Sequence, residues 1–472
     1  MVARLGTVLL LVAQWGILVY FLALNLTQLA LMVRAYFAMR GYLILAQLDP
    51  LESLFDTGHF KPITLICPTY NEEAGVVAAV GSLLALRYPE FQVVVVNDGS
   101  KDGTLQKLVE AFRLRPSRRV VRQALPSQQV LGIYESAFHP KLIVVDKLNG
   151  GKADALNCGL NLARYPLVCC MDGDSILEHD ALLRAVRPFM DYPNVVGVAG
   201  VIRPVNGCRV TPMGIRGAFM PKKWLARFQV VEYLRAFLFS RMGLSELGAL
   251  FIVSGAFGVF RKDLLLRIGG YHKTIGEDFE LVVRLHHVLK AEGQPYRFVM
   301  LPDPVCWTEV PEDTGTLRRQ RNRWQRGLLD SLWLHRSMWF NPRFGRIGWF
   351  SMPYYLLFEA MAALVEVGGY AFFVYAIWTG KLNLPFALLF FTVAFLLGTF
   401  NSFVAVILEQ LANHPYRKLG DWAALLATSV LENFGYRQLT VLWRLKGTFD
   451  WLLRRQGWGK MRRKGLRSTG TA

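Results

Sequence analysis

Asp172 and Asp174 stand one residue apart at the end of an apolar run, Tyr165 to Met171, broken only by Pro166. A buried strand that ends in Asp-Gly-Asp-Ser delivers two hard oxygen ligands to one side of a loop. Ions such as Mg²⁺ or Mn²⁺ are held by one or two carboxylates together with substrate phosphates. An ion so held neutralises a leaving diphosphate by Lewis-acid catalysis. Taken alone the tetrapeptide reads first as a turn, because Asp, Gly and Ser are all turn formers. Its neighbours change that reading.

Further stretches of the same kind follow one another along the chain. Pro68-Thr69-Tyr70-Asn71-Glu72-Glu73 and Val96-Asn97-Asp98-Gly99-Ser100 offer carboxylates, a ring and exposed backbone amides, a set suited to a base and a ribose. Asn149-Gly150-Gly151-Lys152-Ala153-Asp154 opens a helix with two glycines and a lysine. Helix-end amides plus an ammonium make an anion site of the kind a diphosphate needs. Gly276-Glu277-Asp278 opens a helix over Phe279 to Leu289, so its carboxylates can face the same cleft. Gln320-Arg321-Asn322-Arg323-Trp324 lies on a helix that ends the soluble part. His179, His272, His286 and His287 lie near these motifs without metal-ligand spacing, and read as surface or satisfied core histidines.

The elements that must position these residues alternate. Ile63 to Cys67, Phe91 to Val96, Leu142 to Val145 and the run ending at Met171 read as buried strands. Gly75 to Leu86, Thr104 to Leu114 and Lys152 to Leu162 carry helical periodicity, with Asn71, Glu72 and Glu73 suiting the first turn of the first helix. Alternation of this kind predicts an α/β fold around a mostly parallel sheet, with ligands at the carboxyl ends of the strands. The polar motifs fall at those ends. Residues 112–141 form a basic, loop-rich insertion, and Lys223 to Met242 reads either as a membrane-interface helix or as a surface helix.

The chain has 472 residues, is 53% apolar and carries a net charge of +19. Leu5 to Val33 contains no charged residue and is long enough to cross a bilayer. It is too long for the core of a cleaved signal peptide, and no small-residue cleavage site follows it. Phe350 to Trp378 and Leu384 to Leu408 read as further spans, and tryptophans 324, 333, 339 and 349 as an aromatic belt. Glu359 and Glu366 share a helix face at membrane depth, where a polar conduit and a helix-helix contact are the two readings. Trp422 to Leu442, interrupted by Glu432, Asn433, Gly435, Arg437 and Gln438, reads as a re-entrant or interfacial helix pair. The basic residues gather at membrane edges, at Arg34 and Arg40, at Arg336, Arg343 and Arg346, and at Arg454, Arg455, Lys460, Arg462, Arg463 and Lys464. That distribution matches anionic lipid and the cytoplasmic side of a bilayer, and no nucleic-acid partner is expected. The six cysteines show no zinc spacing and read as reduced core thiols of a cytoplasmic domain.

Together these motifs, with Cys306-Trp307-Thr308-Glu309-Val310-Pro311-Glu312, resemble the family 2 glycosyltransferases with a GT-A fold. The resemblance is to their membrane-embedded processive members, the cellulose, chitin, hyaluronan and poly-N-acetylglucosamine synthases. It covers residues 60–330 and extends to the flanking spans. It implies a membrane helix over 1–34, an interfacial linker over 35–60 and a cytoplasmic GT-A domain over 61–330. An interfacial helix over 331–349, membrane helices over 350–450 and a basic tail over 451–472 complete the division. By the same resemblance Thr69, Tyr70, Glu72 and Asp98 hold the uridine of a UDP-sugar, and Lys152 and Asp154 sit near the diphosphate or the uridine. Asp172 and Asp174 take phosphates and Mg²⁺ or Mn²⁺, Asp174 more directly. Asp278 is the general base, and Gln320, Arg323 and Trp324 hold the diphosphate and stack the acceptor sugar; Glu277 reads as a positioner of Asp278 or a helix-start charge rather than a second base.

Two departures stand out. The dyad reads Gly-Glu-Asp where many members have Thr-Glu-Asp, and Val253-Ser254-Gly255-Ala256 replaces the Cys-Gly-Ser-like turn of cellulose synthases. The second brings the chain nearer to the poly-N-acetylglucosamine and chitooligosaccharide branch. The expectation is an inverting enzyme of the bacterial inner membrane, multi-pass, extending a β-linked polysaccharide from UDP-sugar on the cytoplasmic side. An accessory export or regulatory protein is compatible with it. The alternative is a non-processive enzyme that glycosylates a membrane lipid.

Overall fold

β-Branched runs build the centre of the molecule. The computed structural model describes residues 2–49, 58, 60–211, 214–413, 416 and 418–455. In chain order its strands are β1 (Ile63–Thr69), β2 (Phe91–Asp98), β3 (Arg115–Pro116), β4 (Val130–Glu135), β5 (Leu142–Lys147), β6 (Leu167–Met171) and β7 (Ile176–Leu177). They continue with β8 (Val195–Pro204), β9 (Arg209–Thr211), β10 (Gly214–Gly217), β11 (Phe257–Arg261) and β12 (Arg297–Thr308). One sheet runs β3-β4-β5-β2-β1-β6-β11-β8-β12-β7, and β9 pairs with β10 apart from it.

Both faces of this sheet are covered. Leu65, Val93 and Val95 point toward Val80, Leu83 and Leu108, on the helices Val76–Leu84 and Thr104–Phe112. Ile66, Val94 and Val96 point the other way, toward Leu156 and Leu160 on the helix Lys152–Leu162. Each fully buried Val, Leu or Ile contributes roughly 1.5–3 kcal/mol, which explains why strand runs without alternation sit here.

The sheet is less uniformly parallel than the alternation predicts. β5, β2, β1 and β6 are parallel neighbours, with Ile66 opposite both Val94 and Cys170. β11 runs antiparallel between β6 and β8. The reason is local. A turn in which the Phe257 N–H donates to the Ser254 carbonyl reverses the chain at the carboxyl edge of β6, so β11 starts where β6 ends.

The predicted break after residue 34 is absent: one helix runs Val2–Leu48. Arg34 and Arg40 bring a charge change without a helix breaker, and residues below the membrane segment join the soluble core. Met32, Ala35 and Met39 pack in the same cluster as Ile66 and Val94. Residues 50–57 and 59 of the predicted linker lie outside the described residues, as do Lys460, Arg462, Arg463 and Lys464 of the tail.

Among the described residues two helices, Leu11–Leu48 and Leu384–Gln410, are long and apolar enough to cross a membrane. The pair Ile347–Ala360 and Ala362–Trp378, bent by 43° at a short break, makes a third if counted as one span. The expected interrupted segment near the end is two helices, Leu419–Leu431 and Tyr436–Leu452, broken at Gly435 with φ of 83°. In place of an interfacial helix over 331–349, the helix Thr314–Leu334 continues past residue 330 and short turns lead to Ile347. The segment from Trp224 to Glu246 is not an ordinary surface helix. Its Leu238 and Phe239 are buried in the core, while Arg235 donates to Ser402 Oγ at 2.7 Å and pairs with Glu432. This segment ties the sheet to the membrane helices.

The six cysteines are free thiols, five of them buried, and burial pushes Cys67 up to about 12, which suits inert core thiols. His286 is a satisfied core histidine. Its Nε2 donates to the Leu250 carbonyl and its Nδ1 accepts from Tyr296 Oη, both at 2.7 Å. Burial pushes its pKa down to about 4 from 6.5 despite the bond to Leu250. A depressed pKa means that the fold favours the neutral ring. The associated stability is complete above pH ~6.5 and is lost as pH falls through ~4, an effect on the order of 3 kcal/mol. Circular-dichroism melts between those pH values are expected to fall less steeply for His286→Gln than for the unchanged chain.

Candidate active site

The parallel block sets the site. Its strands end level with one another, Thr69 opposite Asn97 and Asp98 opposite Lys147, so the loops beyond them meet at one edge.

Asp98 lies at the centre of the first cluster. Its carboxylate pairs with Lys147 Nζ at 2.5 Å and accepts from the N–H groups of Gly150 at 3.0 Å and Gly151 at 2.8 Å. Asn149 Nδ2 donates to it as well, at 3.1 Å. The glycine amides expected to form an open anion site are therefore spent on a carboxylate of the chain itself. The parallel pairing of β2 with β5 brings Asp98 to that loop, which no local pattern reveals. Lys147, absent from the predicted site set, is 0% exposed and also pairs with Asp154 at 2.6 Å. Its one signal in the sequence is the Asp146-Lys147 pair that closes the apolar strand run Leu142 to Val145. Asp154 in addition accepts from the Gln128 N–H at 3.0 Å.

Lys152 organises the second cluster. Its ammonium lies 2.6 Å from Asp172 Oδ1 and 2.9 Å from Glu277 Oε1. Burial lowers the Lys152 pKa, but Asp172, Glu277 and Asp278 outweigh it and hold the ammonium well above the ordinary lysine range. Burial raises the Glu277 carboxyl above its usual range, the Lys152 charge opposing that rise and Asp278 adding to it. Asp278 accepts from the N–H groups of Gly255 and Phe279, each at 2.9 Å. Lys152, Ser254, Gly255, Tyr271, Glu277 and Asp278 line a narrow crevice. Glu277 and Asp278 open the helix Glu277–Ala291, at the end where carboxylates are favoured by the helix dipole.

The Asp-X-Asp turn packs tightly on β1. The Ser175 N–H donates to the Asp172 carbonyl at 3.2 Å, and a Cβ on Gly173 would lie 2.7 Å from the Pro68 carbonyl. Asp172 and Asp174 are both half-buried. Among the described residues no group of three or more His, Cys, Asp or Glu could hold a metal. Two half-open carboxylates fit an ion whose remaining ligands are phosphate and water.

The other predicted residues spread around this centre. Thr69 is buried, its Oγ1 donating to the Val96 carbonyl at 3.3 Å, and Tyr70 is exposed. Glu72 is half-buried, its N–H donating to Thr104 Oγ1 at 2.9 Å. Glu73, expected in the first turn of the preceding helix, instead accepts from the Gly103 N–H and pairs with Lys107, both at 3.2 Å. Tertiary proximity recruits it to the start of the helix Thr104–Phe112. Gln320 and Arg323 are half-buried on the helix Thr314–Leu334, and Trp324 is 39% exposed with the Arg321 guanidinium 4.5 Å from its ring centre. Arg321, held to Glu232 at 2.7 Å, thus fixes one face of the indole.

Two glycines bring that helix to the catalytic candidates. A Cβ on Gly327 would lie 2.9 Å from the Gly276 Cα, one residue before Glu277. Gly327→Ala forces the two backbones apart at an overpacking cost of about 1–3 kcal/mol. A lowered melting temperature in detergent is the expected result.

At membrane depth both glutamates have arginine partners. Arg437 grips Glu366 with two bonds, of 3.1 and 2.9 Å, and Arg444 lies 3.8 Å from Glu359 while donating to Gln325 Oε1 at 3.0 Å. These are helix-helix polar contacts, the second of the two readings offered by the sequence.

Comparison with known proteins places this geometry. The family described as Glycosyl transferase family 2 matches residues 64–269, and Glycosyl transferase family group 2 matches residues 167–408, over half of the chain. The chain is 28% identical over 307 residues to the poly-beta-1,6-N-acetyl-D-glucosamine synthase of Staphylococcus epidermidis, a match covering 65% of this chain and 62% of that one. The synthase of the same name from Staphylococcus aureus strain COL is 28% identical over 267 residues, 56% of this chain and 54% of that one. The matches thus span little more than half the length of these curated relatives. Among solved structures, a mannosyltransferase from Pyrobaculum calidifontis, determined with GDP-Man and Mn²⁺, covers 93% of this chain and 100% of its own. It has a TM-score of 0.52 at 19% identity, a likeness of fold.

Proposed function

From a chain that belongs to the glycosyl transferase family group 2, we propose an inverting transferase that moves a sugar from a UDP-sugar onto a growing β-linked polysaccharide. The observation that carries this reading is the placement of Lys152. One ammonium joins the Asp172 turn to Glu277, and Asp278, the next residue, is aimed by the Gly255 N–H into the same crevice.

In this reading Asp278 takes the proton from an acceptor hydroxyl. The freed oxygen pair attacks the anomeric carbon from the side opposite the diphosphate, the bond from that carbon to the phosphate oxygen breaks, and UDP leaves. General-base assistance of this kind contributes roughly 10²–10⁴ in rate. Mg²⁺ or Mn²⁺ held by Asp172 and Asp174 supplies charge neutralisation for the departing diphosphate. Lys152 stands where it can reach the same phosphates, and Gln320 and Arg323 approach from the helix Thr314–Leu334. Trp324, backed by Arg321, offers an indole face to the acceptor sugar. Thr69, Tyr70 and Glu72 border the space for uridine, and Asp98 holds the loop beneath it with Lys147 and Asp154.

The chain sits in the bacterial inner membrane in this proposal, multi-pass, with the sheet on the cytoplasmic side. The two long apolar helices and the free thiols support that placement. The likeness to the staphylococcal poly-beta-1,6-N-acetyl-D-glucosamine synthases makes UDP-N-acetylglucosamine the first donor to test. Purified membranes incubated with a panel of UDP-sugars are expected to yield UDP and a polymer resolved by size. A single-sugar lipid would replace polymer synthesis by glycosylation of a lipid, and no UDP release with any donor would end the transferase reading.

A further inference from the structure

We propose that Lys152 is a built-in counter-ion for Asp172, which it releases only when a nucleoside diphosphate takes up its ammonium. A divalent cation then binds tightly only together with the nucleotide. The inference rests on the reading of Asp172 and Asp174 as the protein ligands of that cation.

The two carboxylates that share the ammonium are not equivalent. The Asp172 side chain is 30% exposed, on a turn open to solvent, whereas that of Glu277 is 6% exposed. Glu277 adjoins a second carboxylate, Asp278, and stripping its counter-charge would leave a buried, repelled anion. Removing one member of such a pair is far costlier inside a protein than at its surface. Asp172, by contrast, can exchange a lysine for water or a metal ion. The ammonium therefore keeps Glu277 and trades Asp172.

A backbone carbonyl adds to the closed arrangement. Lys152 Nζ also donates to the Gly255 carbonyl at 3.5 Å, on the loop whose N–H holds Asp278. Lys152 also opens the helix Lys152–Leu162, whose backbone anchors the stem of the side chain. With Asp172 neutralised at 2.6 Å, an incoming cation meets Asp174 and a positive charge instead of two carboxylates. A diphosphate changes this by giving the ammonium a third anionic partner and offering the cation phosphate oxygens. Because linkage is reciprocal, the factor by which the nucleotide tightens the metal is the factor by which the metal tightens the nucleotide.

The test is a Mn²⁺ titration of the full chain in detergent, followed by electron paramagnetic resonance, without and with saturating UDP. Without UDP, Lys152→Met is expected to bind Mn²⁺ about tenfold more tightly than the unchanged chain, within the usual span of coupling factors. Lys152→Arg is expected to keep the weak affinity. Lys152→Met also strands Glu277, so Lys152→Met with Glu277→Gln is titrated beside it and is expected to show the same gain. UDP is expected to tighten Mn²⁺ more in the unchanged chain than in either methionine variant. Equal Mn²⁺ affinities without UDP, with sugar transfer retained by the unchanged chain, overturn the counter-ion role and leave the transferase reading intact. Absence of Mn²⁺ binding under all conditions overturns it too, and if the unchanged chain also fails to transfer sugar, the transferase reading falls with it.

Discussion

Asp278→Asn is expected to lower the turnover of UDP-sugar by about 10²–10⁴, the span assigned to a general base, while UDP affinity stays unchanged. The substitution is close to isosteric. An asparagine oxygen keeps the Gly255 N–H, the bond that aims Asp278 into the crevice, while the bond from the Phe279 N–H is given up to the amide nitrogen. What is lost is the capacity to take a proton from the acceptor. Initial rates of UDP release, paired with calorimetric UDP binding, separate the two effects. Glu277→Gln provides the contrast. It removes an anionic partner of Lys152, so nucleotide affinity and rate are expected to change together. Full turnover by Asp278→Asn would remove Asp278 from the chemistry and leave it a structural partner of Gly255.

Lys147→Met is expected to destabilise the fold by about 3–5 kcal/mol, as when one member of a buried ion pair is removed. The lysine is 0% exposed and faces two carboxylates, Asp98 and Asp154, that methionine cannot neutralise. The lower end of the range is favoured. Asp98 keeps the N–H donors of Gly150 and Gly151, and the Asp154 side chain is 19% exposed, where solvent screens its charge. A thermal melt in detergent measures the loss, and Lys147→Met with Asp98→Asn is expected to recover part of it because the two sites share one network. A single variant that melts like the unchanged chain would show that the amides alone hold the loop. The charge argument would then be wrong.

The helix Lys152–Leu162 occupies the span that periodicity predicts, and β2 continues two residues beyond its predicted end. The helix over Phe279 to Leu289 begins two residues earlier, at Glu277, and so includes both carboxylates. These agreements share a cause, since strand runs, helical periods and turn-forming residues act through neighbours in the chain. The apolar spans were legible for the same reason, as runs of one composition. The Asp98 loop, the glycine-lysine helix start, the Asp-X-Asp turn and the Glu-Asp dyad could be named as candidates because each is a short string at the end of an element.

What each candidate touches was decided elsewhere. The amides of Gly150 and Gly151 looked available until the pairing of β2 with β5 laid Asp98 against them. Glu73 looked like part of its own helix until folding put Gly103 beside it. The direction of β11, the meeting of Gly276 with Gly327 and the grip of Arg437 on Glu366 join segments far apart in the chain. Residue types and local spacing determined which elements form and which ends carry chemistry. Strand register and helix packing decided which charges neutralise one another, because a carboxylate bonds to whatever donor packing brings within about 3 Å, and that donor need not be near it in sequence.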